Sequence, residues 1–462
     1  MAATPGTAPA TNECQASETW AAGFQADHCL LADGSNPPIT PVYWPDVCTP
    51  EASAGWTPTQ TSFDQLSWRS FLNTNWPAQS DGQPDTSQQI GTQADGAFAL
   101  TVWEHFKSSD DLFGTDELAI ACDANGPRVL TMTSKVTQEA MMAVEAHAEL
   151  LGDPLSGIDQ AFRGPLYPQG PDPLLPVYYE IRINDTEYNA IVAAGAQNKS
   201  PDQLNCTGSY KSDTCVPFSF PLDSTEVKAA WKVLSSDEVA GGTFYYQDLQ
   251  IVDPVSGSCS VKPMGLVGLH IARKVSHSIS NDDGGRKNSW AWSTFEHNNN
   301  VPPVGDSGAG GDYSFFNASC TPAVDGAVCA AATTPNPDES LQCCPNLYRY
   351  AAGTVPTSPT PDQVTRIDSA PPLTQACNDV YDPLDKGVFD NYNLVRTQWP
   401  KLSDGPPFTP TVTPAYSRNA VIETYFTKWQ NGEQVNTSSC MGCHSGSSAV
   451  DMSYLFLNNT GT

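Results

Sequence analysis

Cys440-Met441-Gly442-Cys443-His444 carries the clearest chemistry in this chain. Two thiols three positions apart, followed at once by an imidazole, have the C-x-x-C-H spacing of a c-type haem attachment site. The spacing has a chemical reason. Each thiol can form a thioether with one haem vinyl group, and the adjacent histidine then presents a ring nitrogen to the iron. The chain has 14 Cys and 7 His among 462 residues. At those frequencies chance supplies about 0.006 such strings. Two plainer readings stand beside the haem one: a disulfide next to an ordinary histidine, and half of a zinc site. Zinc needs a second close ligand pair, and the other close cysteines are the vicinal Cys343-Cys344, a poor geometry for it.

Only 18 residues follow His444. A haem attached here must therefore be covered largely by chain that comes before it, and the sixth iron ligand becomes the central question. His270, in Gly268-Leu269-His270-Ile271, is the first candidate, and His297, in Phe295-Glu296-His297, is the second. A lone histidine on an apolar strand is ordinarily a satisfied core residue, but a haem raises its value as a ligand. Met452 and Met264 are weaker candidates. Met452 comes eight residues after His444, and eight extended residues reach roughly 26 Å, enough to round a porphyrin edge. Met441 lies inside the attachment loop and cannot reach the opposite face. His28, His105, His147 and His277 read as ordinary surface residues.

The elements that must position these groups follow from periodicity. Helical spacing is read at 62–72, with Ser62 as N-cap, and at 137–151, 185–196, 225–234 and 419–429. Strands are read at 98–102, 244–246, 249–252, 265–275 and 290–295. The expected fold class is α+β. It comprises a mixed or antiparallel β core with flanking helices, long disulfide-pinned loops and a C-terminal haem-attachment segment packed on the body. Four regions are expected: an irregular Cys/Pro-rich segment at 1–60, an α+β core at 61–300, a Pro/Gly/Cys-rich loop excursion at 301–380, and a helix with the attachment segment at 381–462. No internal repeat is seen, and no second C-x-x-C-H.

Composition narrows the function classes. The net charge is −29, which repels nucleic acid and anionic membranes and favours basic partners or bound cations. No run of 18 apolar residues occurs, so no membrane-spanning helix is expected. Setting the two haem cysteines aside leaves twelve, an even number that suits disulfides in an oxidising compartment. Cys206 with Cys215 and Cys320 with Cys329 are candidate local loops. The first residues lack a basic start and an apolar stretch, so the chain reads as a mature form of an exported protein, periplasmic or extracellular.

Leu66-Ser67-Trp68-Arg69-Ser70-Phe71-Leu72-Asn73-Thr74-Asn75-Trp76-Pro77-Ala78, Met264-Gly265-Leu266-Val267-Gly268-Leu269-His270-Ile271, Trp290-Ala291-Trp292-Ser293-Thr294-Phe295-Glu296-His297 and the terminal motif together resemble large exported bacterial proteins of the cytochrome c family. Those proteins have a single C-terminal haem motif. The resemblance covers roughly residues 60–300 and 380–462. It implies one covalent haem c and electron transfer with a redox partner protein or a small-molecule donor or acceptor. The residues leave three functional readings open. The first is a one-electron carrier with both axial positions filled. The second is a haem oxidoreductase of peroxidase or oxygenase type, with an open distal site and His270 or His297 as acid/base. The third is a surface-assembly or sensor protein with structural haem. The length favours the second, since a shuttle does not need so large a body.

Overall fold

The computed structural model describes residues 59–94, 96–114, 122–130, 177–206, 217–252, 258–276, 288–306, 311–316, 366, 368–401, 411–423, 427–430, 433–436, 439–444 and 449–456. The expectations for 1–58 and 137–151, and most of those for 301–380, lie outside these residues.

The fold is α+β, built on one large and mostly antiparallel sheet. Its strands are β3 (Lys107–Ser108), β4 (Val129–Leu130), β5 (Tyr178–Ile183), β6 (Thr225–Val233), β7 (Tyr246–Val252), β8 (Cys259–Ser276), β9 (Asn288–His297), β10 (Tyr392–Lys401) and β11 (Thr411–Thr413). Along the sheet they run β11-β10-β9-β8-β6-β5-β3. The 18-residue β8 is the spine. One of its edges pairs with β6, and its other edge is shared between β7 at the start and β9 at the end. Among the described residues the one parallel pairing of the sheet joins β4 to β7. Two small hairpins stand apart: β1 (Gln93–Ala94) with β2 (Ala97–Phe98), and β12 (Thr427–Gln430) with β13 (Glu433–Asn436).

Side chains alternate across a sheet with period two. The register aligns Lys228, His270 and Thr294, and in the next row Glu226, Ala272, Trp292 and Gln398. These residues share one face. Val227, Ala229, Leu269, Ile271, Phe295 and Leu394 share the other and enter the main core. Helices α1 (Gln60–Thr74) and α6 (Pro372–Tyr381) cover that second face. Ser67 of α1 bonds both Ser293 and Thr397 at 2.6 Å, fixing the helix over β9 and β10. The buried carboxyl of Asp64, one turn earlier, is pushed up to about 6 by burial, against hydrogen bonds from Thr397, Gln60 and Thr374.

The linker between α6 and β10 passes close to the loop at Gly91. Gly91 and Gly387 both hold positive φ, and a Cβ on Gly387 would lie 2.4 Å from the Gly91 carbonyl oxygen. Only glycine allows that backbone approach together with that conformation.

The remaining helices are α2 (Ser109–Phe113), α3 (Asp185–Ala194), α4 (Pro201–Asn205), α5 (Ser236–Gly241) and α7 (Cys440–His444). α3 starts on an Asn184 cap and stops at left-handed Gly195, as the 185–196 periodicity requires. α1 begins earlier than expected: Thr59 is the N-cap, and Ser62 is the N3 partner of a capping box. The strands expected at 249–252, 265–275 and 290–295 are present, the one expected at 244–246 contributes only Tyr246 as the first residue of β7, and 98–102 yields only β2 and a 3-10 turn at Val102–His105.

Two helical expectations fail. Residues 225–234 form β6, hydrogen-bonded on both edges by β5 and β8. Their Val and Thr content suits a strand, and two waiting neighbours override a helical spacing. At 419–429 there is a single turn followed by β12. The Asn419 side chain takes the Val421 N–H at 3.0 Å, so the segment is held as a turn from its first residue.

One disulfide is fully described, Cys122–Cys259, with Cα atoms 5.3 Å apart. It ties the loop before β4 to the start of β8. Cys206 and Cys377 are also disulfide-bonded. Cys215, Cys320 and Cys329 lie outside the described residues.

Candidate functional site

The C-x-x-C-H segment forms α7, seated over β9 and β10 on the sheet face that α1 does not cover. Gln398 of β10 makes the seat. Its Oε1 accepts the Met441 N–H at 2.8 Å, and its Nε2 donates to Ser439 Oγ at 3.0 Å. Gln398 thus satisfies the orphan end of this short helix. Met441 is buried in a cluster with Ala272, Trp290, Trp292, Val450 and Phe456. The variable position of the motif is therefore its anchor. Cys440 is half-buried and keeps a thiol rather than a disulfide. Cys443 lies three residues on in the same turn.

The His444 ring lies between Trp292, at 4.3 Å between centroids, and Tyr454, at 4.8 Å. Nδ1 is 2.7 Å from the Met452 carbonyl oxygen. A carbonyl only accepts, so Nδ1 carries the proton and Nε2 keeps the lone pair. Burial pushes the imidazole down to about 4 against the Met452 bond, and the fields of Lys228 and His270 add to the fall while Glu423 opposes it. The ring is neutral and its tautomer is fixed. Metal-bound histidines have the same arrangement, one nitrogen tied to a carbonyl and the other directed at the metal.

The turn carrying that carbonyl is itself fixed. Val450 and Ser453 exchange backbone bonds at 2.8 and 2.9 Å, and Asp451 and Met452 hold positive φ between them. The Asp451 carboxylate accepts from Lys274 Nζ (2.6 Å), Phe220 N (2.7 Å) and Ser219 Oγ (2.9 Å), and its backbone oxygen accepts from Trp290 Nε1. Because Met452 holds Nδ1, it sits on the opposite edge of the ring from Nε2.

His270 lies on the same sheet face as α7, and Lys228 and Thr294 are its cross-strand neighbours. Its Nε2 is 3.4 Å from Glu423 Oε2. Glu423 closes the turn from Asn419, whose Nδ2 donates to Thr294 Oγ1 at 2.9 Å and to the Phe295 carbonyl at 3.0 Å. Gly268 leaves room for this turn, since a Cβ there would meet Val421 Cγ2 at 2.7 Å. Burial alone would raise the Glu423 carboxyl, but His270, Lys228 and the Asn419 N–H hold it below its ordinary value. Lys228 is pushed down to about 8 by burial, opposed by the charges of Glu423 and Cys440. Cys440, Lys228, His270, Glu423 and His444 thus form one electrostatic cluster.

His297 and Met264 are not in it. His297 is an odd-numbered residue on β9, so it faces away from Trp292 and Thr294. Its Nε2 lies 2.9 Å from the Thr243 carbonyl and its Nδ1 accepts the Asn299 N–H at 3.1 Å. Its ring stacks on Phe244 at 3.9 Å. Both nitrogens are used, so His297 is a satisfied core residue. Met264 is fully buried in the core of that opposite face.

The burial of His297 has a pH consequence. Burial pushes its imidazole down to about 4, so the folded state holds it neutral. Stability from this residue is complete above the ordinary histidine value near 6.5 and is lost as pH falls through about 4, by about 3 kcal/mol. Urea unfolding at stepped pH should show that loss in the wild type. It should be missing from His297→Gln, and equal acid slopes in the two proteins would contradict it.

Lys228, Gln398 and Glu423 had no local sequence signal. Lys228 is one of two lysines in a mostly apolar strand, and its place on the site face comes only from the strand register. Among the described residues no three His, Cys, Asp or Glu side chains converge as a metal site. The chain matches no protein-family model, and no similar curated protein or solved structure was found.

Proposed function

We propose that this chain is an exported monohaem redox protein, with haem c attached through Cys440 and Cys443 and ligated by His444. The observation that carries this reading is the His444 imidazole, neutral and oriented by the Met452 carbonyl at 2.7 Å, directly after two cysteines at thioether spacing. When bound, the haem supplies one-electron chemistry between ferric and ferrous iron. The chain supplies the rest. Trp292, Tyr454 and Met441 exclude water around His444, and His270 is the candidate second ligand because it shares that sheet face, whereas His297 and Met264 face away from it. The Cys122–Cys259 disulfide supports an oxidising compartment, and a periplasmic or extracellular site belongs to the same proposal. The resemblance to exported cytochrome c proteins agrees with it. The partner is a redox protein or a small-molecule donor or acceptor.

A second reading draws on the 3.4 Å contact of His270 with Glu423 and on the nearby Lys228. A histidine tied to a carboxylate beside a lysine of lowered pKa is an acid/base set, and would serve a haem oxidoreductase with an open iron position.

The test is spectroscopic. The chain, matured with a c-type haem attachment system, should give a thioether-type pyridine haemochrome, and its absence ends the proposal. Low-spin ferric iron that turns high-spin in His270→Leu identifies His270 as ligand and the protein as a carrier. High-spin iron in the wild type that binds cyanide, with slower peroxide reaction in His270→Leu, identifies the oxidoreductase.

A further inference from the structure

Two carboxyl side chains outside the haem cluster meet beneath the turn that orients His444. α3 delivers Glu187 and β6 delivers Glu226. Glu187 is fully buried at 0 % exposure, and no donor of the described structure reaches either of its oxygens or the buried Oε1 of Glu226. Asp451 from the turn and Lys274 from β8 also face the pair, and the Ser453 hydroxyl meets Glu226. Lys274 lies 2.6 Å from Asp451 and is committed to it. The cluster therefore holds three carboxyls against one cation.

Three of the four carboxyl oxygens lack a donor among the described residues, and two such groups cannot both be ionised without a heavy desolvation penalty beside a like charge. A proton held between them removes one charge and supplies the missing hydrogen bond. We propose that Glu187 and Glu226 share a proton that fastens the turn at 450–453 to the sheet, and that its loss at alkaline pH releases this turn together with the carbonyl that orients His444.

The electrostatics agree with the geometry. Glu187 is raised well above the ordinary carboxyl range, by burial first and then by Glu226 and Asp451, with Lys274 opposing. Glu226 is raised as well, chiefly by burial. A carboxyl raised in the folded state binds its proton more tightly there than in the unfolded chain. Its contribution is complete below the ordinary glutamate value of about 4.3 and declines as pH rises through the raised value. The direction is opposite to that of His297, so the two effects separate on a pH scale. The device belongs to the chain itself and does not depend on the haem reading.

Hydrogen exchange of the full chain tests it. Protection factors at 450–453, corrected for intrinsic exchange, should fall about tenfold or more between about pH 6 and about pH 9, while those of β8 hold. Glu187→Gln keeps a neutral hydrogen-bonding side chain that cannot lose a proton, so its protection should be flat. Glu226→Gln serves the same purpose should the first variant fail to fold. At neutral pH the infrared spectrum should contain a protonated-carboxyl band that either variant removes. Flat protection in the wild type, an equal fall in wild type and variant, or a band unchanged by both substitutions would overturn the latch.

Discussion

Replacing Cys440 and Cys443 together by serine should abolish covalent haem and leave the sheet standing. The haemochrome absorbance should drop to the background of a chain matured without haem, a complete loss. Stability measured without cofactor should change by less than about 1 kcal/mol, because serine nearly matches cysteine in size and α7 is held through Gln398 and Met441. Cys440 is a partly buried neighbour of the seat of α7, a packing contact that serine largely keeps. Gln398 bonds the Met441 N–H, and Met441 itself fills the apolar cluster over Ala272 and Trp292. The same pair of substitutions discriminates against the disulfide reading. Removing a native disulfide costs about 2–5 kcal/mol, and the structural disulfide at Cys122–Cys259 sets the comparison, since it bridges 137 positions. A protein that loses that much stability on Cys440→Ser/Cys443→Ser, with no change in haem content, would have used these cysteines as a staple. Far-UV circular dichroism of the double variant supplies the control that the fold persists.

The candidate site was legible in the sequence only in its local part. Cys440, Cys443 and His444 are legible because their five-residue spacing is the C-x-x-C-H pattern on which the haem proposal rests. His270 and His297 look alike on paper, each a lone histidine in an apolar strand of β character. They differ by one unit of parity relative to Trp292, and only the pairing of His270 with Thr294 shows which face each one takes. A one-residue slip would exchange them, so no local reading could have chosen.

Fold elements divided along the same line. α1, α3, β8 and β9 carry strong periodicity and flanking caps or breakers, and they form as that pattern requires. Residues 225–234 satisfied a helical spacing nearly as well as a strand, and the decision came from hydrogen-bonding edges contributed by β5 and β8 on either side in space. β10 completes the sheet from residue 392, well beyond the segment expected to hold the core, because closing the edge of β9 required a strand that sequence distance does not reveal. Glu423 reaches His270 by the same kind of long-range closure. Its turn is pinned by an asparagine, a glycine with no room for a Cβ, and two strands that lie more than a hundred residues earlier.

Trp68→Ala should be the most destabilising single change in the described core, by about 3–5 kcal/mol. Trp68 is fully buried where α1, α6 and the sheet meet. Its ring stacks on Tyr381 at 4.8 Å and meets Phe295 edge-on at 5.2 Å. Its indole N–H donates to Asn378 Oδ1 at 3.1 Å, while Asn378 Nδ2 donates to the Leu394 carbonyl at 2.9 Å. Truncation opens a cavity between three elements and leaves a buried amide oxygen without its donor, so the transfer, cavity and hydrogen-bond losses fall on one position. Trp68→Phe separates them. It keeps most of the stacking area and loses only the N–H, and should cost about 1–3 kcal/mol. Urea unfolding of the two variants checks the order. Equal losses would mean that the bond to Asn378 outweighs the packing, and a loss below about 1 kcal/mol in Trp68→Ala would mean that α1 is not held to the sheet through this ring. The position also bears on the candidate site at a distance. α1 grips β9 and β10 from behind through Ser67, and β9 and β10 carry Trp292 and Gln398 on their front. Loosening the helix therefore removes the support of the two strands on which α7 is seated.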